Sequence, residues 1–260
     1  MSAFPEAWRD QFLAASSFLT RLPLAYWAWA RARTDTPAPS LADCAWAFPL
    51  VGLVIGAIGG IAYAVASALN LPPLAAALIA VGATALATGG LHEDGLADTI
   101  DGFGGGATRE AKLAIMRDSR IGTYGVLALI FAIGLRAVAL ADIAARWHVL
   151  GALVAAHAVG RGVLPAALRW LEPARSDGLG AEAGKPTQNM TLIAFGIALG
   201  LALIGVGIRA GLGAAIVVAL VAATIGFLAR RQIGGQTGDV LGAIEQGAET
   251  AALLAIAAWS

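Results

Sequence analysis

The stretch "LAAALIAVGATALATGGLHEDGLADTIDGFGGG", residues 74–106, decides the fold. Fifteen residues without a charge run straight into Glu93, Asp94, Asp98 and Asp101. A membrane span that delivers carboxylates to the bilayer surface would end this way, and charge at membrane depth is costly and marks function.

The rest of the chain agrees. It has 260 residues, 58% of them hydrophobic and 13% charged, about half the charged share of a soluble domain. A span needs about 20 mainly apolar residues. Seven stretches meet or approach that length, at 45–69, 73–91, 122–145, 148–170, 190–208, 211–229 and 239–258. The fold expected is an all-α polytopic membrane protein of about seven transmembrane helices, with residues 1–260 forming a single membrane-embedded domain. The preceding "EAWRDQFLAASSFLTRLPL" is shorter and amphipathic, and reads as an N-terminal interfacial helix. "ARARTDTPAPS", residues 30–40, is a polar link. The N-terminus lacks the basic-then-apolar order of a cleaved signal peptide. A single cysteine, Cys44, rules out an internal disulfide and a CxxC metal site. Formal net charge is +0, which argues against nucleic acid as a partner.

Basic residues orient the chain. With the N-terminus inside, inner segments carry thirteen of the seventeen Lys and Arg, and outer loops carry only Arg146 and Arg209. Arg136 and Arg161 fall within spans. The positive-inside rule then puts the N-terminus in the cytoplasm. The same topology places 89–120, 172–189 and 230–239 together on the cytoplasmic side, as one shared site.

At about 100° per residue, a helix carries Asp98 and Asp101 at about 40° and 340° from Asp94. The three acids share one narrow face if the second span continues through the motif. Glu93 lies to one side, and His92 points away. Oxygen ligands alone suit Mg²⁺ or Mn²⁺, and Mg²⁺ commonly bridges carboxylates to substrate phosphates. The plain alternative is a solvated acidic helix end. Nearby basics favour the phosphate reading: Arg109, Lys112, Arg117 and Arg120 follow within twenty residues. Ser119 is placed to cap the next helix. Within the spans, His157 and Arg161 lie one turn apart, as do Glu245 and Glu249, and Arg161 or Arg136 is the expected partner of these acids.

"HEDGLADTIDG" with "AIMRDSRIGTYG" resembles the cobalamin synthase family, the adenosylcobinamide-GDP ribazoletransferases. "FLTRLPL" (18–24) is similar to its N-terminal signature, "GRGVLP" (160–165) and "GLGAEAGKPT" (178–187) to its later loops, and "GGQTGDVLGAIEQGAE" (234–249) to its C-terminal signature. A weaker likeness joins the acidic motif to CDP-alcohol phosphotransferases. The resemblance implies a multi-pass enzyme of the bacterial cytoplasmic membrane that uses Mg²⁺. It would transfer the adenosylcobinamide-phosphate moiety of adenosylcobinamide-GDP to the 5′-hydroxyl side of α-ribazole, or to α-ribazole 5′-phosphate, releasing GMP. Asp94, Asp98 and Asp101 are then the catalytic and metal-binding acids, with Glu93 a further ligand and Asp101 or Asp98 the proton acceptor. Arg117, Arg120, Lys185 and Asp239 are the expected substrate contacts. Homo-oligomer formation is left open. The rival reading is a transporter with a cytoplasmic-facing acidic site.

Overall fold

The computed structural model describes residues 3–23, 39–143 and 146–259. Most of the polar link 30–40, with Arg31 and Arg33, lies outside the described residues, as does the side chain of Arg146. The described chain is helical, and its only strand-like pairing is an isolated bridge between Pro173 and Gln236.

Helix α1 (Ala3–Leu19) leads to α2 (Leu41–Ala68), α3 (Pro73–Thr88) and α4 (Leu91–Gly105), then to the short α5 (Arg109–Ile115). Helices α6 (Thr123–Asp142) and α7 (His148–Trp170) follow. The next helical stretch, Gln188–Ile233, is two helices, α8 (188–206) and α9 (208–233), joined at Gly207, whose φ of 80° is non-helical. A Cβ at Gly211 would lie 3.1 Å from the Ala202 backbone, whereas nine residues of straight helix cover about 13 Å. The chain therefore folds back here as a hairpin. Helix α10 (Gly238–Trp259) ends the fold.

Five helical stretches are long and apolar enough to cross a membrane, and the pair α3 and α4 passes the same test together. With the hairpin at Gly207 counted as two crossings, the spans fall where the apolar runs put them. Exposed side chains agree: Ile61, Leu86, Phe131, Ile204 and Leu220 are all more than 60% exposed. An apolar belt of this kind belongs against lipid rather than water.

The fold departs from the sequence-based expectation at one place. The second span does not run on through the acidic motif. Gly89 (φ 68°) and Gly90 (φ 70°) both take the left-handed conformation, and α4 leaves α3 at 92°. Gly89 N–H donates to the Leu86 carbonyl and Gly90 N–H to the Ala85 carbonyl, so paired glycines close α3 as a left-handed cap does. The amphipathic α1 rests one face on the bundle: Ala15, Ser16, Leu19 and Thr20 are buried, and Trp46 Nε1 donates to Gln11 Oε1 at 2.7 Å. Cys44 is buried near the start of α2, as a small apolar residue would be.

Close helix contact depends on glycine. A Cβ at Gly95 of α4 would meet the Asp239 carbonyl oxygen at 2.8 Å and the Gly242 Cα at 3.1 Å. Without side chains at 95 and 242, α4 and α10 touch backbone to backbone, which brings Asp94 beside Asp239.

Candidate functional site

The three polar segments assigned to one face do meet. Ala174 N–H donates to the Gln236 carbonyl at 2.7 Å and Gln236 N–H to the Glu172 carbonyl at 2.8 Å, tying the loop after α7 to the turn before α10. Gln236 Nε2 reaches the Gly180 carbonyl at 2.9 Å. Arg109 Nε donates to the Ile233 carbonyl at 2.8 Å, and its Nη2 to that of Ala174. Lys112 bonds Gln232. Arg109 and Lys112 thus strap α5 to the other segments instead of facing a ligand.

The acids of α4 divide into different environments. Asp94 is exposed and Asp98 half-buried, and both line a large open cleft. Among the described residues no hydrogen bond or ion pair engages either carboxylate. Asp101 is buried, and its two oxygens accept from Gly122 N–H (2.7 Å) and Gly125 N–H (2.9 Å). A carboxylate at the first turn of α6 satisfies orphan N–H groups and complements the helix dipole. The helix cap expected of Ser119 is therefore supplied by Asp101, from another helix. Both oxygens of Asp101 are thus engaged, whereas those of Asp94 and Asp98 are not. We expect Asp101→Ala to cost about 1–3 kcal/mol by stranding two N–H groups. Asp101→Asn, which retains an acceptor, should keep the fold and measurable activity. Thermal unfolding and turnover of the two variants in detergent check this, and equal loss in both would refute the capping role.

Glu93 also departs from expectation. Its side chain turns away from the cleft towards Arg136 Nη2, 3.6 Å away. His92 is buried beside Glu245 (3.7 Å) and lines a second, narrower cavity. These two begin a charge network inside the bundle: Arg136–Glu249 at 2.7 Å, His157–Glu249 at 2.8 Å and Arg161–Glu245 at 2.6 Å. The partners expected for Glu245 and Glu249 are those observed. Asp142 is exposed and stands outside the network.

The basic residues sort equally clearly. Arg117 lines the large cleft and pairs with Asp177 at 2.6 Å. Arg120 is 87% exposed and bonds Asp118. That side-chain bond, with one from the Arg120 N–H, holds the Asp118 carboxyl down to about 2. Arg120 does not line the cleft, and Lys185, paired with Glu172 at 3.1 Å, lines neither cavity. Two other arginines do line the cavities. Arg21 lines the large cleft beside Gly89 and Gly90, and its segment, "FLTRLPL", carries a visible signal in the sequence. Arg175 lines the narrower cavity with Asp94 and Asp239, its Nη2 3.5 Å from Asp239 Oδ2 and its buried Nη1 without a hydrogen-bond partner. It lies in the same loop as Lys185, and only the close contact of that loop with α10 tells the two apart. Asp239 also accepts from Thr237 Oγ1 at 3.1 Å.

Exposed Asp94 and half-buried Asp98, which no base neutralises, thus line one cleft with Arg21 and Arg117. The chain as a whole resembles known proteins. The sequence profile of the cobalamin-5-phosphate synthase family matches residues 11–257. The adenosylcobinamide-GDP ribazoletransferase of Bradyrhizobium diazoefficiens is 49% identical over 247 residues, 94% of this chain and 92% of that protein. Proteins of the same name from Mesorhizobium japonicum (46% over 237 residues, 91% and 88%) and Brucella canis (44% over 248 residues, 92% and 93%) are similar at comparable coverage. No solved structure matches. Matched along nearly its whole length, this multi-pass membrane protein belongs to the cobalamin-5-phosphate synthase family of transferases.

Proposed function

We propose that this protein transfers the adenosylcobinamide-phosphate moiety of adenosylcobinamide-GDP to α-ribazole or its 5′-phosphate, releasing GMP. The observation that carries the proposal is the cleft lined both by unpaired Asp94 and Asp98 and by Arg21 and Arg117. A pyrophosphate needs both signs of charge: arginines for its oxygens, and carboxylates to seat the cation that accompanies it. Two carboxylates plus substrate phosphates is a usual Mg²⁺ donor set, so the residues present fit Mg²⁺, with Asp94 and Asp98 as its ligands. When bound, that ion neutralises charge developing on the pyrophosphate.

The chain's own groups do the remainder. Arg21 and Arg117 hold phosphate oxygens. An acceptor hydroxyl attacks the phosphorus on the cobinamide side, and Asp98 or Asp94 takes its proton. The bond from that phosphorus to the bridging oxygen breaks, and GMP leaves with the oxygen. The 5′ oxygen already carries phosphate in α-ribazole 5′-phosphate, so it cannot be the nucleophile for both acceptors. A ring hydroxyl of the ribose, free in both, replaces the 5′-hydroxyl as the attacking group.

The test is GMP release by the purified protein in detergent or nanodiscs, with both substrates and Mg²⁺. Release that needs the acceptor supports the transferase. Substrate flux across vesicles with no chemical product would support the transporter instead. The site is further proposed to face the cytoplasm. A reporter in the exposed segment around Ala107 should read cytoplasmic, and a periplasmic signal would invert the topology.

A further inference from the structure

The narrower cavity is lined mostly by apolar side chains with a few placed polar groups, the usual make-up of a small-molecule pocket. Its walls are of two kinds. Phe18, Leu19, Phe48, Leu164 and Leu168, from α1, α2 and α7, form a dry side. Asp94, Arg175 and Asp239, from the starts of α4 and α10 and the loop between α7 and α8, form a charged side. Asp94 also belongs to the large cleft, as do Phe18, Leu91 and Leu179. The two chambers therefore meet at the carboxylate proposed to seat the cation.

We infer that the narrower cavity is the acceptor subsite, taking the uncharged aromatic base of a nucleoside against its leucine and phenylalanine wall. The sugar turns towards Asp94, Arg175 and Asp239. This rests on the transfer reaction proposed above and specifies where its second substrate binds. The dry wall disfavours the donor's pyrophosphate. A pyrophosphate against the dry side would lose its hydration with no donor to replace it, so the donor belongs in the large cleft with Arg21 and Arg117. A flat ring in the narrow chamber buries apolar surface and leaves the sugar hydroxyls at the shared carboxylate, where nucleophile and phosphorus can meet. The buried Nη1 of Arg175, which has no protein partner, supplies a donor to the sugar or to its phosphate.

The inference is tested by filling the chamber. Leu168→Trp occupies the buried wall. Leu41→Trp does the same from a half-buried position and guards against misfolding of the first variant. Calorimetric binding of α-ribazole to the purified protein without donor should weaken about tenfold or more in both folded variants, by the scale on which pocket volume discriminates. In the coupled assay the acceptor KM should rise while the donor KM stays near wild type. Unchanged acceptor binding in both variants overturns the subsite. So does a rise in donor KM alone, or a co-purified phospholipid that α-ribazole fails to displace. A wild-type protein that binds α-ribazole in a manner Leu168→Trp abolishes, yet releases no GMP, overturns the reaction and upholds the subsite.

Discussion

Asp94→Asn is expected to remove GMP release almost entirely while leaving the protein folded. Asp94 is exposed and no partner engages its carboxylate, so the change strands no buried group, and its stability cost should fall within the small range of ordinary surface changes. Its chemical cost is large, because an amide neither supplies negative charge to Mg²⁺ nor accepts a proton. Loss of a positioned acid–base group alone costs about 10²–10⁴-fold, and loss of the cation adds to this. Asp98→Asn should behave alike. The check is turnover beside an unfolding midpoint for each variant, with a chelator arm on the wild type. Full activity in both variants, or activity indifferent to chelator, would remove the metal site from this face. The contrast with Asp101→Asn is informative. All three acids share a helical face, and only the capped one should tolerate the exchange.

That contrast shows what sequence periodicity can and cannot deliver. The spans were legible because lipid imposes a length and a composition that few other structures need. The common face of Asp94, Asp98 and Asp101 was legible because helical spacing is fixed. Which of the three is free was not. Asp101 is occupied by Gly122 and Gly125, more than twenty residues on, and no local pattern announces that contact. The placement of Glu93 was hidden for a related reason. Its neighbour Asp94 lines the cleft, whereas Glu93 lies 3.6 Å from Arg136, forty-three positions away, inside the bundle. The bend at Gly89–Gly90 had a visible signal in the paired glycines, but apolar and acidic segments each keep helical character, and a straight helix through them breaks no periodic rule. Lys185 and Arg175 share a loop and a charge. Only the bridge between Pro173 and Gln236 decides which of them reaches Asp239.

Arg161→Met is expected to destabilise the fold more than any of the aspartate substitutions, and Glu245→Leu made on top of it should restore much of the loss. Arg161 and Glu245 lie 2.6 Å apart and their side chains are at most 1% exposed. Removing one member leaves a charge buried without its partner, which costs about 3–5 kcal/mol, whereas replacing both by apolar residues of similar volume is often neutral. The position makes the effect functional as well. His92, on the helix that carries Asp94 and Asp98, lies 3.5 Å from Arg161 and 3.7 Å from Glu245. The network is thus a peg between α7, α10 and the first turn of α4, and it fixes how far the acids project into the cleft. The single variant should unfold at markedly lower temperature or fail to yield monodisperse protein. The double variant should fold, with a coupling energy of about 0.5–3 kcal/mol typical of residues in one network. Its kcat should stay below wild type because α4 has lost one of its anchors while Glu93 still holds Arg136. Equal instability of the single and double variants would mean that Arg161 serves the other members, Glu249 and His157, more than Glu245. Wild-type kcat in a stable double variant would separate the network from the placement of the acids.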